Sequence, residues 1–114
     1  MECIFCKIAN KEIPADIVYE DDDIICFHDL SPQAPVHVLI IPKEHISSLD
    51  DTEDSEQQKM LLGHLISKVG MIANKLGLKN GYRLVSNCGE DGQQTVAHLH
   101  FHLLGGRQMN WPPG

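Results

Sequence analysis

Apolar and polar positions alternate along this chain with two periods, one suited to helices and one to strands, and each change of period marks an element. Ile4, Phe5 and Ile8 stand at helical spacing with Pro14 shortly after, which predicts a short helix over 3–10. Ile17 to Glu20 and Ile24 to Asp29 predict two short strands, joined as a hairpin across Asp21-Asp22-Asp23. Two prolines keep Ser31-Pro32-Gln33-Ala34-Pro35 out of regular structure. The β-branched run Val36-His37-Val38-Leu39-Ile40-Ile41, stopped by Pro42, then predicts a central strand. Between Ser55 and Leu76 the residues Leu61, Leu62, Leu65, Ile66, Val69, Ile72, Ala73 and Leu76 follow the period of one long amphipathic helix, with Gly77 suited to the left-handed position after it. Asn80-Gly81 marks a turn, Tyr82 to Cys88 a strand, Gly89 to Gln93 a polar loop, and Val96 to Leu104 a last strand. Short strands joined by short turns, with helices to cover them, imply an antiparallel sheet in an α+β fold.

The last of these strands also carries candidate chemistry. In His98-Leu99-His100-Phe101-His102-Leu103-Leu104 the alternation puts three imidazoles on one face and Leu99, Phe101 and Leu103 on the other. Neighbouring imidazoles then lie about 7 Å apart, within reach of one small ligand. A surface metal patch is the competing reading, but an irregular tail would lack the apolar alternation on the reverse face. His37 alternates with Leu39 and Ile41, so it joins the same face if its strand is a neighbour; otherwise it is a structural histidine. A histidine nucleophile attacks through its unprotonated ring nitrogen and needs a partner that holds the proton on the other. His37 and His98 are candidates for that orienting work. In the long helix Gly63 and Gly70 lie seven residues apart on nearly one stripe, either as a packing seam, including one between subunits, or as two tolerated glycines.

Composition narrows the ligand. At 114 residues the chain has room for one domain, expected to span 1–114, and one core. Nine Lys plus Arg against sixteen Asp plus Glu give a net charge of −7, and no basic stripe is present, which disfavours binding to a nucleic acid backbone. Any anionic ligand must therefore be held by neutral donors and local dipoles. The start Met1-Glu2-Cys3-Ile4-Phe5 lacks the basic and apolar regions of a signal peptide, and no segment is long enough to span a bilayer, so a cytoplasmic, membrane-free location is expected. Its four cysteines are then expected as reduced thiols or metal ligands rather than disulfides. Cys26 falls in an apolar strand as a core residue, and Cys88 beside Asn87 has no assigned role. Cys3-Ile4-Phe5-Cys6 is a Cys-x-x-Cys pair that one helical turn could aim at a single ion, or simply two helix residues. Neither a Gly-x-x-x-x-Gly-Lys-Ser/Thr run nor a carboxylate cluster for magnesium appears.

The run from His98 to Leu104 resembles the signature of the histidine triad (HIT) superfamily, and the chain as a whole is similar to its Hint branch of nucleotide-binding phosphoramidate hydrolases. The resemblance runs through Ile4-Phe5-Cys6-Lys7-Ile8, Glu12-Ile13-Pro14-Ala15, Phe27 to Pro35, Ile41-Pro42-Lys43-Glu44-His45 and the tail from Gly105 to Gly114. It implies a sheet of about five antiparallel strands with a short N-terminal helix and one long helix, dimerising into a continuous sheet. It further implies a purine nucleoside monophosphate or phosphoramidate ligand, with Asp29 on the ribose hydroxyls and Phe5, Ile8, Phe27, His28, Leu30 and Leu39 around base and sugar. An ionised carboxylate offers only acceptors, which suits a cis-diol.

By the same resemblance His100 is the nucleophile, forming a covalent nucleotidyl-histidine that water hydrolyses, with His98, His102 and His37 in the catalytic group. Asn87, Gln94, Thr95, His102 and the backbone around Thr95 and Val96 are expected at the phosphate and leaving group, with no cofactor required for the chemistry. A structural zinc is implied at Cys3, Cys6, His45 and His98, a donor set that tetrahedral zinc accepts. Gln93 and Ala97 depart from the branch pattern, which often has Gly and a bulky residue there, and so alter the expected leaving-group pocket. The tail through Trp111 resembles a segment that reaches the partner's active site, and Trp111-Pro112-Pro113-Gly114 disfavours the alternative of dinucleoside polyphosphate hydrolysis. A non-catalytic nucleotide- or metal-binding module is the remaining alternative.

Overall fold

A computed structural model describing residues 3–114 turns this pattern into α1 (Ile4–Ala9), β1 (Ile17–Glu20), β2 (Ile24–His28), β3 (Val36–Pro42), α2 (Glu56–Lys75), β4 (Tyr82–Val85) and β5 (Phe101–Gly105), with a 3-10 turn at Leu49–Asp51 before α2. All strand pairs are antiparallel, and the order is β1-β2-β3-β5-β4. The crossover that matters is the one made by α2, which lets β5 insert between β3 and β4. His37 then lies opposite Leu104, and Leu39 opposite His102.

Both faces of the sheet are covered, which is why β2 and β3 read as nearly unbroken apolar runs. One face sends Ile24, Cys26, Val38, Ile40, Phe101 and Leu103 against Leu65, Val69, Ile72 and Ala73 of α2. The other sends Ile25, Phe27, Leu39 and Ile41 against Phe5, Ile8 and Ala9 of α1. Burial pushes the Cys26 thiol up to about 12, so this cysteine is an inert core residue as its pattern suggested. Among the described residues no helix is long and apolar enough to cross a membrane.

Local chemistry sets the ends of α2. The Ser55 hydroxyl accepts from the Gln58 N–H at 3.2 Å, satisfying one of the open donors of the first turn. At the other end Gly77 adopts φ +76, while the Gly77 N–H donates to the Asn74 carbonyl and the Leu78 N–H to the Ala73 carbonyl. This Schellman closure turns Leu78 back onto the sheet, where its side chain covers Gly105 so closely that an added Cβ would stand 2.6 Å from Leu78 Cδ2.

The last strand is shorter than its pattern predicts: β5 begins at Phe101 rather than Val96, and β4 stops at Val85 rather than Cys88. Other partners take the backbone groups just before it. The Leu99 N–H donates to the Ile46 carbonyl at 2.6 Å, and the Ser86 hydroxyl donates to the His100 carbonyl at 2.9 Å. Residues 98–100 nevertheless keep the alternation, with Leu99 packed in the α2-side core and Phe5 of α1 against the rings of His98 and His100.

Gly63 and Gly70 are exposed on α2, and a Cβ added at either meets nothing within 4 Å. Gly63→Ala and Gly70→Ala are therefore expected to raise unfolding stability by about 0.5–1 kcal/mol each in urea titrations, because alanine loses less chain entropy in a helix. A loss of stability in the isolated subunit would contradict this.

Candidate active site and adjoining cysteine-histidine cluster

Hydrogen bonds decide which nitrogen of each ring carries its proton. His100 is 4% exposed, and its Nδ1 lies 2.7 Å from the His98 carbonyl. A carbonyl can only accept, so Nδ1 of His100 is protonated and its Nε2 keeps the lone pair. At His37 the order reverses: the Gln33 backbone N–H donates to Nδ1 at 3.0 Å, which leaves the proton on Nε2. That Nε2–H donates to Nδ1 of His102 at 2.9 Å, and so Nε2 of His102 carries a proton. The His100 and His102 ring centroids are 5.0 Å apart. One lone pair and one N–H are thus set side by side.

At His37 and His102 the arrangement requires neutral rings, and burial favours them. Burial lowers His102 to about 4, with His100 and His37 adding to the effect and Asp29 opposing it. Burial also lowers His37, against the pull of Asp29, whose Oδ2 lies 3.5 Å from His37 Nε2. The other Asp29 oxygen accepts from the Ser31 N–H at 2.7 Å, and the Asp29 N–H donates to the His37 carbonyl at 3.0 Å. The carboxylate is held at the end of β2 by the loop that follows it.

His100, His102 and Asp29 face a cleft of about 230 Å³. Of the predicted ligand-binding residues, Phe5, Ile8, Phe27, His28, Asp29, Leu30, Leu39, Thr95, Val96, His100 and His102 all line it. Its apolar end is walled by Phe5, which meets Phe27 edge-on at 5.6 Å and His100 at 5.2 Å. Asn87 and Gln94 are not on its wall. The Gln94 amide donates to the carbonyls of Ser47 (2.7 Å) and Val96 (3.0 Å), and its oxygen accepts from the Gly89 N–H (3.2 Å), so this side chain braces the loop behind the cleft. Ile4, Pro14, Ala15 and Asp16 also line the cleft and were not foreseen. Pro14, Ala15 and Asp16 sit in the irregular segment between α1 and β1, where no periodicity signals a face, and Ile4 belongs to the helical pattern of α1 but not to its buried set. Ser86, which holds the His100 carbonyl, was missed because the strand pattern ran through it.

The ring of His98 takes no part in the cleft. It is fully buried, and its Nε2–H donates to the Pro42 carbonyl at 2.8 Å, leaving the Nδ1 lone pair to face other groups. Those groups are Cys3 Sγ (3.4 Å), Cys6 Sγ (3.5 Å) and His45 Nδ1 (3.2 Å), with Cys6 Sγ also 3.2 Å from His45 Nδ1. All four donor atoms lie within 4.8 Å of one another. Zinc bond lengths of about 2.0–2.3 Å to nitrogen and sulfur imply tetrahedral edges of about 3.3–3.8 Å, close to these separations. Burial and then the neighbouring Cys3 raise the Cys6 thiol, a cost that a divalent cation removes by favouring thiolate. His98 therefore orients His100 through its main-chain carbonyl and serves the cluster through its ring.

Residues 10–109 match the HIT domain family. The chain is 56% identical over 113 residues to an uncharacterised HIT-like protein of Synechococcus elongatus, covering 99% of this chain and 97% of that protein. Its structure is similar to that of a HIT family hydrolase from Legionella pneumophila Philadelphia 1, with TM-score 0.94, 51% identity, and coverage of 99% of this chain and 100% of the other. A histidine triad protein from Clostridium difficile gives TM-score 0.91 at 46% identity, covering 96% and 95% of the two chains.

The depressed histidines predict how stability depends on pH. A free imidazole titrates near about 6.5, so between that pH and about 4 the unfolded chain binds a proton that folded His102 refuses. The contribution is complete above the unfolded value and is lost as pH falls through this window, with His37 and His98 acting in the same direction. Urea midpoints are expected to drop from pH 6.5 to 4 and to drop less in His102→Gln. A flat or rising profile would contradict the assigned neutral rings.

Proposed function

We propose, on the premise that this chain belongs to the HIT family, that it hydrolyses purine nucleoside phosphoramidates by way of a covalent nucleotidyl-histidine, as in the Hint branch. What carries the reading is the 2.7 Å contact between His100 Nδ1 and the His98 carbonyl, which aims a lone pair on Nε2 into the same cleft that Asp29 enters. A nucleoside lodged with its base against Phe5, Phe27 and Leu39 and its ribose at Asp29 brings its phosphate to His100, His102 and Thr95. His100 Nε2 attacks the α-phosphorus, forming a P–N bond as the bond to the leaving nitrogen breaks, and that nitrogen departs as the amine with a proton taken from solvent. The new imidazolium keeps its Nδ1–H on the His98 carbonyl, and the His102 Nε2–H donates toward the phosphoryl oxygens or the departing nitrogen. Water then attacks phosphorus and gives one proton back to solvent, the P–Nε2 bond breaks, and nucleoside monophosphate leaves with His100 restored.

The Cys3, Cys6, His45 and His98 donors would hold a structural zinc, and the whole span 1–114 would act as one HIT domain. Bound there, the metal would supply cross-linking of α1 to the segment before β5 that bears His100. The chain also has features of a homodimer that extends the sheet through β4. This strand lies at the sheet edge with Tyr82 exposed, and α2 shows Ile66 and Met71 beside the smooth stripe of Gly63 and Gly70. On that reading, added methyl groups at the two glycines strengthen the helix and weaken the dimer.

His100→Ala and His100→Asn are expected to abolish release of AMP from an adenosine phosphoramidate bearing a fluorescent amine, while AMP binding stays measurable by calorimetry. Retained turnover in either variant removes His100 from its role, and binding without turnover in the unaltered chain makes the protein a nucleotide-binding module. For the metal, protein purified without a histidine tag is expected to carry zinc by elemental analysis, and Cys3→Ser to lose it along with thermal stability. Metal-free wild-type protein ends the zinc proposal.

A further inference from the structure

The proton on His102 Nε2 depends on groups outside the cleft. His37 Nδ1 is kept free of a proton by the Gln33 N–H, which points at it from 3.0 Å away and is its one hydrogen-bond partner among the described residues. Were that N–H turned aside, only the Asp29 carboxylate, 3.5 Å from Nε2, would still favour a proton there, and His37 could also carry its proton on Nδ1 and offer a lone pair at Nε2. His102 would then have to donate from Nδ1, leaving its Nε2 as a lone pair facing phosphoryl oxygens. A donor would become a repulsive acceptor.

Gln33 sits in the loop Ser31-Pro32-Gln33-Ala34-Pro35, where ring closure fixes φ at Pro32 and Pro35 and leaves the peptide planes around Gln33 as the movable part. Two bonds hold those planes. On one side the Gln33 N–H reaches His37. On the other the Gln33 carbonyl accepts from the Arg107 guanidinium at 3.1 Å. Gly106, at φ +89, lies flat against the same loop, with room so short that an added Cβ would stand 2.8 Å from Pro35 Cβ. The segment that follows β5 therefore clamps the loop at two neighbouring points. Arg83 anchors that segment further along, donating to the Asn110 carbonyl at 2.9 Å and standing 6.0 Å from the Trp111 ring.

We infer that Arg107 is a positioning residue for the hydrolysis: by holding the Gln33 carbonyl it fixes the tautomers of His37 and, through it, His102. This rests on the reading of His102 Nε2–H as donor to the reacting phosphoryl group. Arg107 is exposed and touches neither the cleft wall nor the histidines, so its effect passes through the loop.

The test uses the full chain with nitrogen-15-labelled histidine. Unaltered protein is expected to show one tautomer each for His37 and His102, with protons on both Nε2 atoms. Arg107→Ala is expected to give mixed tautomers at both rings, a kcat on the fluorescent adenosine phosphoramidate lower by about tenfold, a part of what acid-base groups contribute as a whole, and an unchanged KM. Arg107→Lys, which can still donate to the Gln33 carbonyl, is expected to restore most of both. Should Arg107→Ala fail to fold, Arg107→Met, which keeps an aliphatic stem and has no side-chain N–H to donate, carries the same comparison. Unchanged tautomers in a folded variant overturn the inference, and so do mixed tautomers with unchanged kcat. If the unaltered chain has no hydrolytic activity the proposed reaction fails, whereas the imidazole spectra still report whether Arg107 sets the tautomers.

Discussion

One residue, His98, joins the two halves of the site. Its carbonyl fixes the proton of His100, its ring N–H is spent on the Pro42 carbonyl at the end of β3, and its remaining lone pair faces two thiols and a second imidazole. Each hydrogen bond constrains the next, because a ring nitrogen in a neutral imidazole either donates or accepts. The main chain at residue 98 cannot shift without moving both the carbonyl that holds the His100 proton and the cluster that includes Cys3 and Cys6 at the start of α1. Full burial makes this rigid: the ring has no water with which to exchange partners.

Charge follows the same economy. With a net charge of −7 the chain has no general attraction for anions, and among the described residues no lysine or arginine lines the cleft. On the proposed function, a phosphate there would meet neutral groups whose protons are placed in advance by the backbone carbonyl of His98 and the backbone N–H of Gln33. Such preorganised dipoles cost no reorganisation as charge develops, which is where fixed donors outperform solvent. Burial supports this by keeping His37 and His102 uncharged, so that two rings 2.9 Å apart share one proton without repulsion.

Much of this was legible in the residues themselves. The period-two run from His98 to Leu104 located both the histidine face and its apolar reverse, and the long helical stripe ending at Gly77 matched α2 to within a residue at each end. The Cys-x-x-Cys spacing pointed to a metal cluster, although only the family resemblance supplied His45 and His98 as its other members. The strand limits were not legible. Alternation records which way side chains point, whereas a strand assignment requires paired backbones, and at residues 98–100 the first persists without the second. Gln94 misled for a related reason: its type suits a phosphate contact, but three backbone groups nearby had prior claim on its amide.

That separation of alternation from pairing has a chemical consequence. A residue inside a ladder has its N–H and carbonyl committed to neighbouring strands, whereas the His98 carbonyl is available to a side chain because the ladder starts only at Phe101. Had β5 extended back to Val96, as the pattern alone suggested, the carbonyl that holds His100 would have faced a strand neighbour instead. Early termination is made tolerable by substitutes: Ile46 takes the Leu99 N–H, and Ser86 supplies the donor for the His100 carbonyl. The nucleophile candidate thus stands one residue outside the sheet, close enough to inherit its alternation and far enough to have its proton placed by the chain's own backbone.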